Sequence, residues 1–183
     1  MLYYEFAPET QWDLWVLPVT PDGTPEPRAK AHPYLRTRFN ESLGRFSPEL
    51  GPGLGPRWVA YQSDESGRNE VYVQGFPAPR GKFQISTGGG TFPEWSPDRR
   101  ELYYTAADGK LMAATLQVAD DSVSPSTPRE LFALPISPSG IGSPYTLAPD
   151  GKRFLALTPV GASQPLDVVI NFPALLKPGA AKE

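Results

Sequence analysis

An all-β fold of small antiparallel sheets stacked side by side is what this sequence predicts, on three observations. A short turn motif returns at intervals of about 50 residues. Each copy is followed by the same succession of short apolar strands. Nowhere does an apolar 3.6-residue period run for about ten residues without Pro or Gly, so helices cannot supply the cover those strands need.

The motif is apolar-Ser/Ala-Pro-acid: Phe46-Ser47-Pro48-Glu49, Trp95-Ser96-Pro97-Asp98 and Leu147-Ala148-Pro149-Asp150. In chain order, the first unit begins at its second strand. Leu2-Tyr3-Tyr4 aligns with Leu102-Tyr103-Tyr104, and Asp13-Leu14-Trp15-Val16 aligns with the third strands. In the next three units the second strands are Trp58-Val59-Ala60-Tyr61, Leu102-Tyr103-Tyr104-Thr105 and Phe154-Leu155-Ala156-Leu157. The third strands are Glu70-Val71-Tyr72-Val73, Lys110-Leu111-Met112-Ala113 and Asp167-Val168-Val169-Ile170. Pro149-Asp150-Gly151 presets φ at the proline and lets the glycine take a positive φ, which suits a tight reversal. Asp108-Gly109 is a short-hairpin signal.

The second strands lack apolar/polar alternation and must be covered on both faces. With helices excluded, neighbouring sheets are the cover, and a radial stack of such sheets is a β-propeller. Fourteen strands are expected, which makes a β-propeller arc of about three and a half four-stranded antiparallel blades, a partial propeller. The blades fall at 1–36, 43–86, 91–134 and 143–172, leaving 173–183 as a flexible tail. A closed propeller uses about four to eight blades. The expectation is therefore the C-terminal arc of a longer propeller protein, or a shortened relative that closes by pairing with another chain. Open edges and an uncovered apolar blade face predict self-association.

Composition narrows the function classes. The chain has 183 residues, 39% hydrophobic and 11% aromatic, so it can bury a core of its own. Its 23 Pro and 17 Gly, about 22% of the chain, stay below the roughly 25–30% of low-complexity sequence. The net charge of −3 comes from 17 basic and 20 acidic residues with no basic cluster, which argues against nucleic acid as a partner. With no cysteine there is no disulfide, thiolate metal site or cysteine nucleophile. The first residues lack a basic stretch followed by a long apolar run, and no window reaches about 18 apolar residues, so the expectation for this segment is no export signal and no membrane insertion.

The run RFSPE, followed by RWVAYQSDESGRNEVYVQGFPAPRGKFQISTGGGTFPEWSPDRRELYYTAADGKLMAATL, resembles the TolB-like, WD-repeat-like bacterial β-propellers. It is similar above all to the propellers that form the C-terminal part of certain bacterial serine/threonine protein kinases. The resemblance covers most of residues 2–172, and residues 57–116 carry its specific part. It implies a non-catalytic module for protein interaction or ligand sensing, and a periplasmic or otherwise extracytoplasmic setting. The alternative it implies is the regulatory propeller of a larger enzyme, a kinase or a prolyl oligopeptidase type of peptidase, whose catalytic residues lie outside this chain. Four features depart from the pattern: Glu49 in place of Asp, the LGPGLGP loop at 50–56, Arg99-Arg100 in place of Gly-Lys, and the weakened Leu147-Ala148.

Catalytic constellations are not found. There is no Gly-x-Ser-x-Gly elbow and no set of kinase motifs, and the single histidine, His32, stands in a turn-like context. Ser86-Thr87-Gly88-Gly89-Gly90-Thr91 has the glycines of a phosphate cradle but not the Lys-Ser/Thr ending of a P-loop. Asp64-Glu65 and Asp120-Asp121 lack the alternating carboxylates of a calcium loop and read as solvated turn charges. Trp12, Trp15, Trp58, Tyr61, Trp95, Tyr103 and Tyr104 recur at matching blade positions, so core packing is expected over a sugar-stacking platform. The expectation is no enzyme activity, no cofactor and no metal.

What remains is a surface for a protein partner or a small ligand. In a propeller the second-to-third strand turns and the blade-to-blade links share one end, and such loops carry recognition. The candidate residues are Asp64, Glu65, Arg68 and Asn69 in DESGRN, then Arg80, Thr91 and Glu94 around the inner strand. Arg68 and Arg80 are suited to pair with carboxylates.

Overall fold

Apolar residues on both faces of a strand require a neighbour on each side, and the chain supplies them as four antiparallel sheets. The computed structural model describes residues 1–20, 31–49, 51, 55–119, 121–135, 142–157 and 169–170, and no helix occurs among them. The first sheet holds β1 (Leu2–Ala7), β2 (Gln11–Val16) and β3 (His32–Leu35). The second holds β4 (Glu41–Phe46), β5 (Trp58–Ser63), β6 (Glu70–Gly75) and β7 (Lys82–Gln84). The third is built from β8 (Gly90–Trp95), β9 (Glu101–Ala106), β10 (Lys110–Val118), β11 (Val123–Pro125) and β12 (Arg129–Ala133). β13 (Tyr145–Leu147), β14 (Arg153–Ala156) and β15 (Val169–Ile170) form the fourth. The chain is a partial β-propeller. The first sheet starts on β1, which stands where β5, β9 and β14 stand in the others.

The described residues carry fifteen strands where the sequence predicted fourteen. The difference lies in β10, which continues past the expected Ala113 to Val118. Its outer edge is shared by two partners: β12 pairs with Lys110–Ala113 and β11 with Leu116–Val118. Leu116 turns inward and Gln117 outward, so the alternation of a strand persists. The Ala119 N–H to Ser122 carbonyl bond of 2.9 Å closes the hairpin. Residues 50 and 52–54 of the departing loop, Asp120, residues 167–168 of the last expected strand and the 173–183 tail lie outside the described residues.

Three apolar cores fill the three seams between sheets. Leu14, Val16, Tyr34 and Leu35 meet Val59, Tyr61 and Tyr72 in the first seam. Trp58, Ala60, Val71, Val73 and Ile85 meet Trp95, Leu102, Tyr104, Ala114 and Leu116 in the second. Tyr103, Leu111, Ala113 and Leu134 meet Tyr145, Phe154 and Ala156 in the third. Alternate residues of β5, β6, β9 and β10 thus serve different cores, which is why these strands show no apolar/polar period. The series Trp58, Tyr61, Trp95, Tyr103 and Tyr104 is buried, as expected. Trp12 differs: it makes edge contacts with Tyr4 (5.4 Å) and Phe6 (5.3 Å) near the β1–β2 turn and stays 41% exposed.

Each seam is also tied by an aromatic donor to a backbone carbonyl of the neighbouring sheet. Tyr34 Oη donates to the Gly75 carbonyl at 2.7 Å, Trp95 Nε1 to Arg45 at 3.2 Å, and Tyr145 Oη to Phe92 at 2.8 Å. Tyr145→Phe is expected to lower unfolding stability by about 1 kcal/mol, because the Phe92 carbonyl loses its donor with almost no change in shape. Urea unfolding followed by tryptophan fluorescence measures it.

Candidate functional site

The residues expected to face a partner are largely engaged within the chain. Asp64 accepts from the Asn40 backbone N–H at 2.9 Å and from its Nδ2 at 2.6 Å, pinning the β5–β6 turn to the first-to-second sheet link. Glu65 is paired with Lys82 Nζ at 2.6 Å, Arg68 Nε lies 3.7 Å from Glu70, and the Asn69 carbonyl accepts from Gly90 N–H at 2.9 Å. Thr91 Oγ1 donates to the Thr105 carbonyl at 3.4 Å. Glu94 accepts from Thr146 Oγ1 at 3.2 Å and Leu147 N–H at 3.3 Å, joining the inner strands of the third and fourth sheets. Arg80 stands apart. β6 leads away from Asn69, so the β6–β7 turn lies at the other end of the sheet, where Arg80 Nε is 3.7 Å from Asp121 Oδ1. Strand direction therefore divides the set: Asp64, Glu65, Arg68, Asn69 and Thr91 gather at the hairpin end, and Arg80 marks the opposite turn end.

At the hairpin end the glycine run already holds an anion, and it is the protein's own. Buried Glu70 accepts from the N–H groups of Gly88 and Gly89, both at 2.8 Å, through Oε1. Its Oε2 takes the hydroxyl of Ser86, whose Oγ in turn accepts from Val71 N–H at 2.8 Å. Gly88 and Gly89 sit at φ 103° and 108°, so two successive amides converge on one carboxylate. The cradle suggested by Ser86–Thr91 is thus filled from within.

Two further buried acids lie at the first seam. Asp13 Oδ2 accepts from Thr10 Oγ1 at 2.7 Å and faces Arg36 Nε at 3.6 Å, while Glu41 Oε1 takes the Thr37 hydroxyl. Asp13 Oδ1 and Glu41 Oε2 have no hydrogen-bond partner among the described residues. Burial first, then the charges of Asp13 and Glu65, push the Glu41 carboxyl up to about 7 against the lowering effect of the Thr37 bonds. No group of three or more acids or histidines among the described residues is placed to hold a metal ion.

The turn end carries an open cleft of about 300 Å³ between the second and third sheets. Arg57, Arg99 and Arg100 line it with Asp98, while Trp58, Leu116, Val118 and Ala119 give it apolar walls. The Ser-Pro-Asp motif builds one side. Ser96 Oγ donates to Asp98 Oδ1 at 2.7 Å, the Arg100 N–H reaches the same oxygen at 3.1 Å, and the Arg99 N–H closes on the Ser96 carbonyl at 2.9 Å. The Ser96 hydroxyl, helped by the Arg100 amide and guanidinium, holds the Asp98 carboxyl below its ordinary range. A second cleft, of about 490 Å³, flanks the same turn on its other side, with Glu101, Tyr103, Asp150 and Lys152 in its walls. None of the first cleft's residues was a sequence candidate. Arg57, Asp98 and Leu116 are brought together only by sheet stacking, and the one visible signal was Arg99-Arg100 in place of Gly-Lys.

No protein-family model and no curated protein matches the chain. Among solved structures, the crystal structure of TolB from Acinetobacter baumannii is similar, with a TM-score of 0.57 and 19% sequence identity over 92% of this chain. The match covers 40% of the TolB chain, so this chain spans well under half of its length. At that identity the likeness bears on fold, and it agrees with the partial propeller described above.

Proposed function

We propose that this chain is a non-catalytic β-propeller module that binds a protein partner or small ligand through its turn end. The observation that carries this is the cleft between the second and third sheets, where three arginines and an apolar wall meet one carboxylate that its own turn already engages. Guanidinium and apolar groups orient and hold a ligand; they offer no nucleophile paired with a base, which supports a binding rather than a chemical role. The hairpin end, favoured by the sequence, has most of its charges engaged between strands. The kinase-linked form of this reading, with the arc as the sensing part of a signalling protein, rests on the resemblance of residues 57–116 alone.

The test is site-directed photo-crosslinking in cells. A crosslinking side chain at Ala119, on the cleft wall, is expected to capture a partner, and one at Ser66, in the β5–β6 turn, is not. Capture at Ser66 with none at Ala119 would move the binding surface to the hairpin end and overturn the proposal.

A further inference from the structure

Arg99 holds an unusual place in the cleft. Its φ is 60°, in the left-handed region, where a residue with a Cβ is strained. The sister turn of the fourth sheet places Gly151 at the same step with φ 68°, the residue that takes this conformation without strain. The third-sheet turn therefore spends stability to present a long cation. Among the described residues the Arg99 side chain has no hydrogen bond or ion pair. Among the described residues, its neighbour Arg100 has a 4.0 Å approach to Asp98, with both side chains largely exposed. Strain retained beside an uncommitted charged group in a cleft points to ligand binding.

Resting on the binding role proposed above, we infer that the cleft formed by Arg57, Arg99 and Arg100 receives a peptide carboxylate, with an adjoining apolar side chain packed against Leu116, Val118 and Ala119. Guanidinium groups match the planar, bidentate geometry of a carboxylate. Asp98 in the same wall repels a dianion more than a monoanion, which favours a carboxylate over a phosphate. About 300 Å³ is at the lower end of ligand cavities and suits one or two residues. The carboxylate comes either from a chain terminus or from an acidic side chain.

The experiment titrates the full chain with three short acetylated peptides: Ala-Ala-Leu with a free C-terminus, the same peptide amidated, and amidated Ala-Glu-Leu. Inorganic phosphate is a fourth probe, and binding is read by calorimetry and by amide shifts. The free acid is expected to bind at least about tenfold more tightly than its amide. Recovery of affinity by amidated Ala-Glu-Leu assigns the site to acidic side chains, and its failure assigns it to chain termini; either supports the inference. Arg99→Gly is expected to weaken the acid about fivefold or more while raising Tm by about 2 °C, a pairing that a merely structural arginine would not produce. Equal binding of acid and amide, tighter binding of phosphate, or unchanged affinity in Arg99→Gly overturns it. A crosslink at Ala119 that survives any of these results leaves the binding role standing and removes only the carboxylate.

Discussion

Glu70→Ala is expected to cost about 3 kcal/mol of unfolding stability, measured as a fall in urea midpoint at unchanged slope. The truncation strands three donors together: the Gly88 and Gly89 amides and the Ser86 hydroxyl. Ser86 is fully buried and also receives the Val71 N–H, so the damage reaches the start of β6. Hydrogen bonds to a charged acceptor are worth about 1.5–3 kcal/mol each. The sum is discounted because Gly88 is exposed and water replaces Glu70 there. Glu70→Gln keeps an acceptor oxygen and should lose about half as much. Amide exchange in residues 86–90 should accelerate in the alanine variant well beyond the change in the strands of the third seam; uniform acceleration would mean that the carboxylate does not organise this link.

The second large effect is a pH dependence at the first seam. The Glu41 carboxyl is raised from about 4.5 to about 7 in the folded chain, so between those values the native state keeps a proton that the unfolded state has released. A raised acid therefore favours folding least at high pH. Stability should fall as pH climbs from about 4.5 to about 7 and level off above, by about 3 kcal/mol for this group alone. The charges of Asp13 and Glu65 add to the repulsion, and the Thr37 hydrogen bonds oppose it. Glu41→Gln keeps the acceptor for Thr37 without the charge. It should flatten this slope and leave the variant more stable than the parent at pH 8. A parent and variant with parallel stability–pH curves would contradict the assignment.

The sheet order was legible because it is written in local chemistry. The repeated Ser/Ala-Pro-acid turns, Asp108-Gly109 and strands apolar on both faces each follow from neighbours in sequence, and four stacked sheets follow from them. The β11 hairpin was missed because β10 was expected to stop at Ala113, although Leu116 and Val118 continue its inward positions. The buried acids were hidden for a different reason. Glu41 and Glu70 begin strands, where an acidic residue ordinarily marks a solvated end, and only the stacking of sheets shows that water is excluded. The cleft was least legible, since Arg57, Arg99 and Leu116 come from three separate stretches. Its trace in the sequence was a broken repeat: arginine where the sister turn has glycine.

The alternate use of β5 by two cores bears on how the chain finds its pairing register. In a half-solvated strand, a slip by one residue is rejected because it turns apolar groups to water. Here a slip would merely exchange Trp58 and Ala60 with Val59 and Tyr61, all of them apolar, so solvation gives little discrimination. Fidelity has to come from size, with indole and methyl matched to one seam and isopropyl and phenol to the other. It comes also from the acids at the strand ends, since a slipped β6 would pull Glu70 away from its amides. The carboxylate that fills the glycine cradle thus acts as a registration pin for a sheet whose apolar pattern alone cannot tell one alignment from the next.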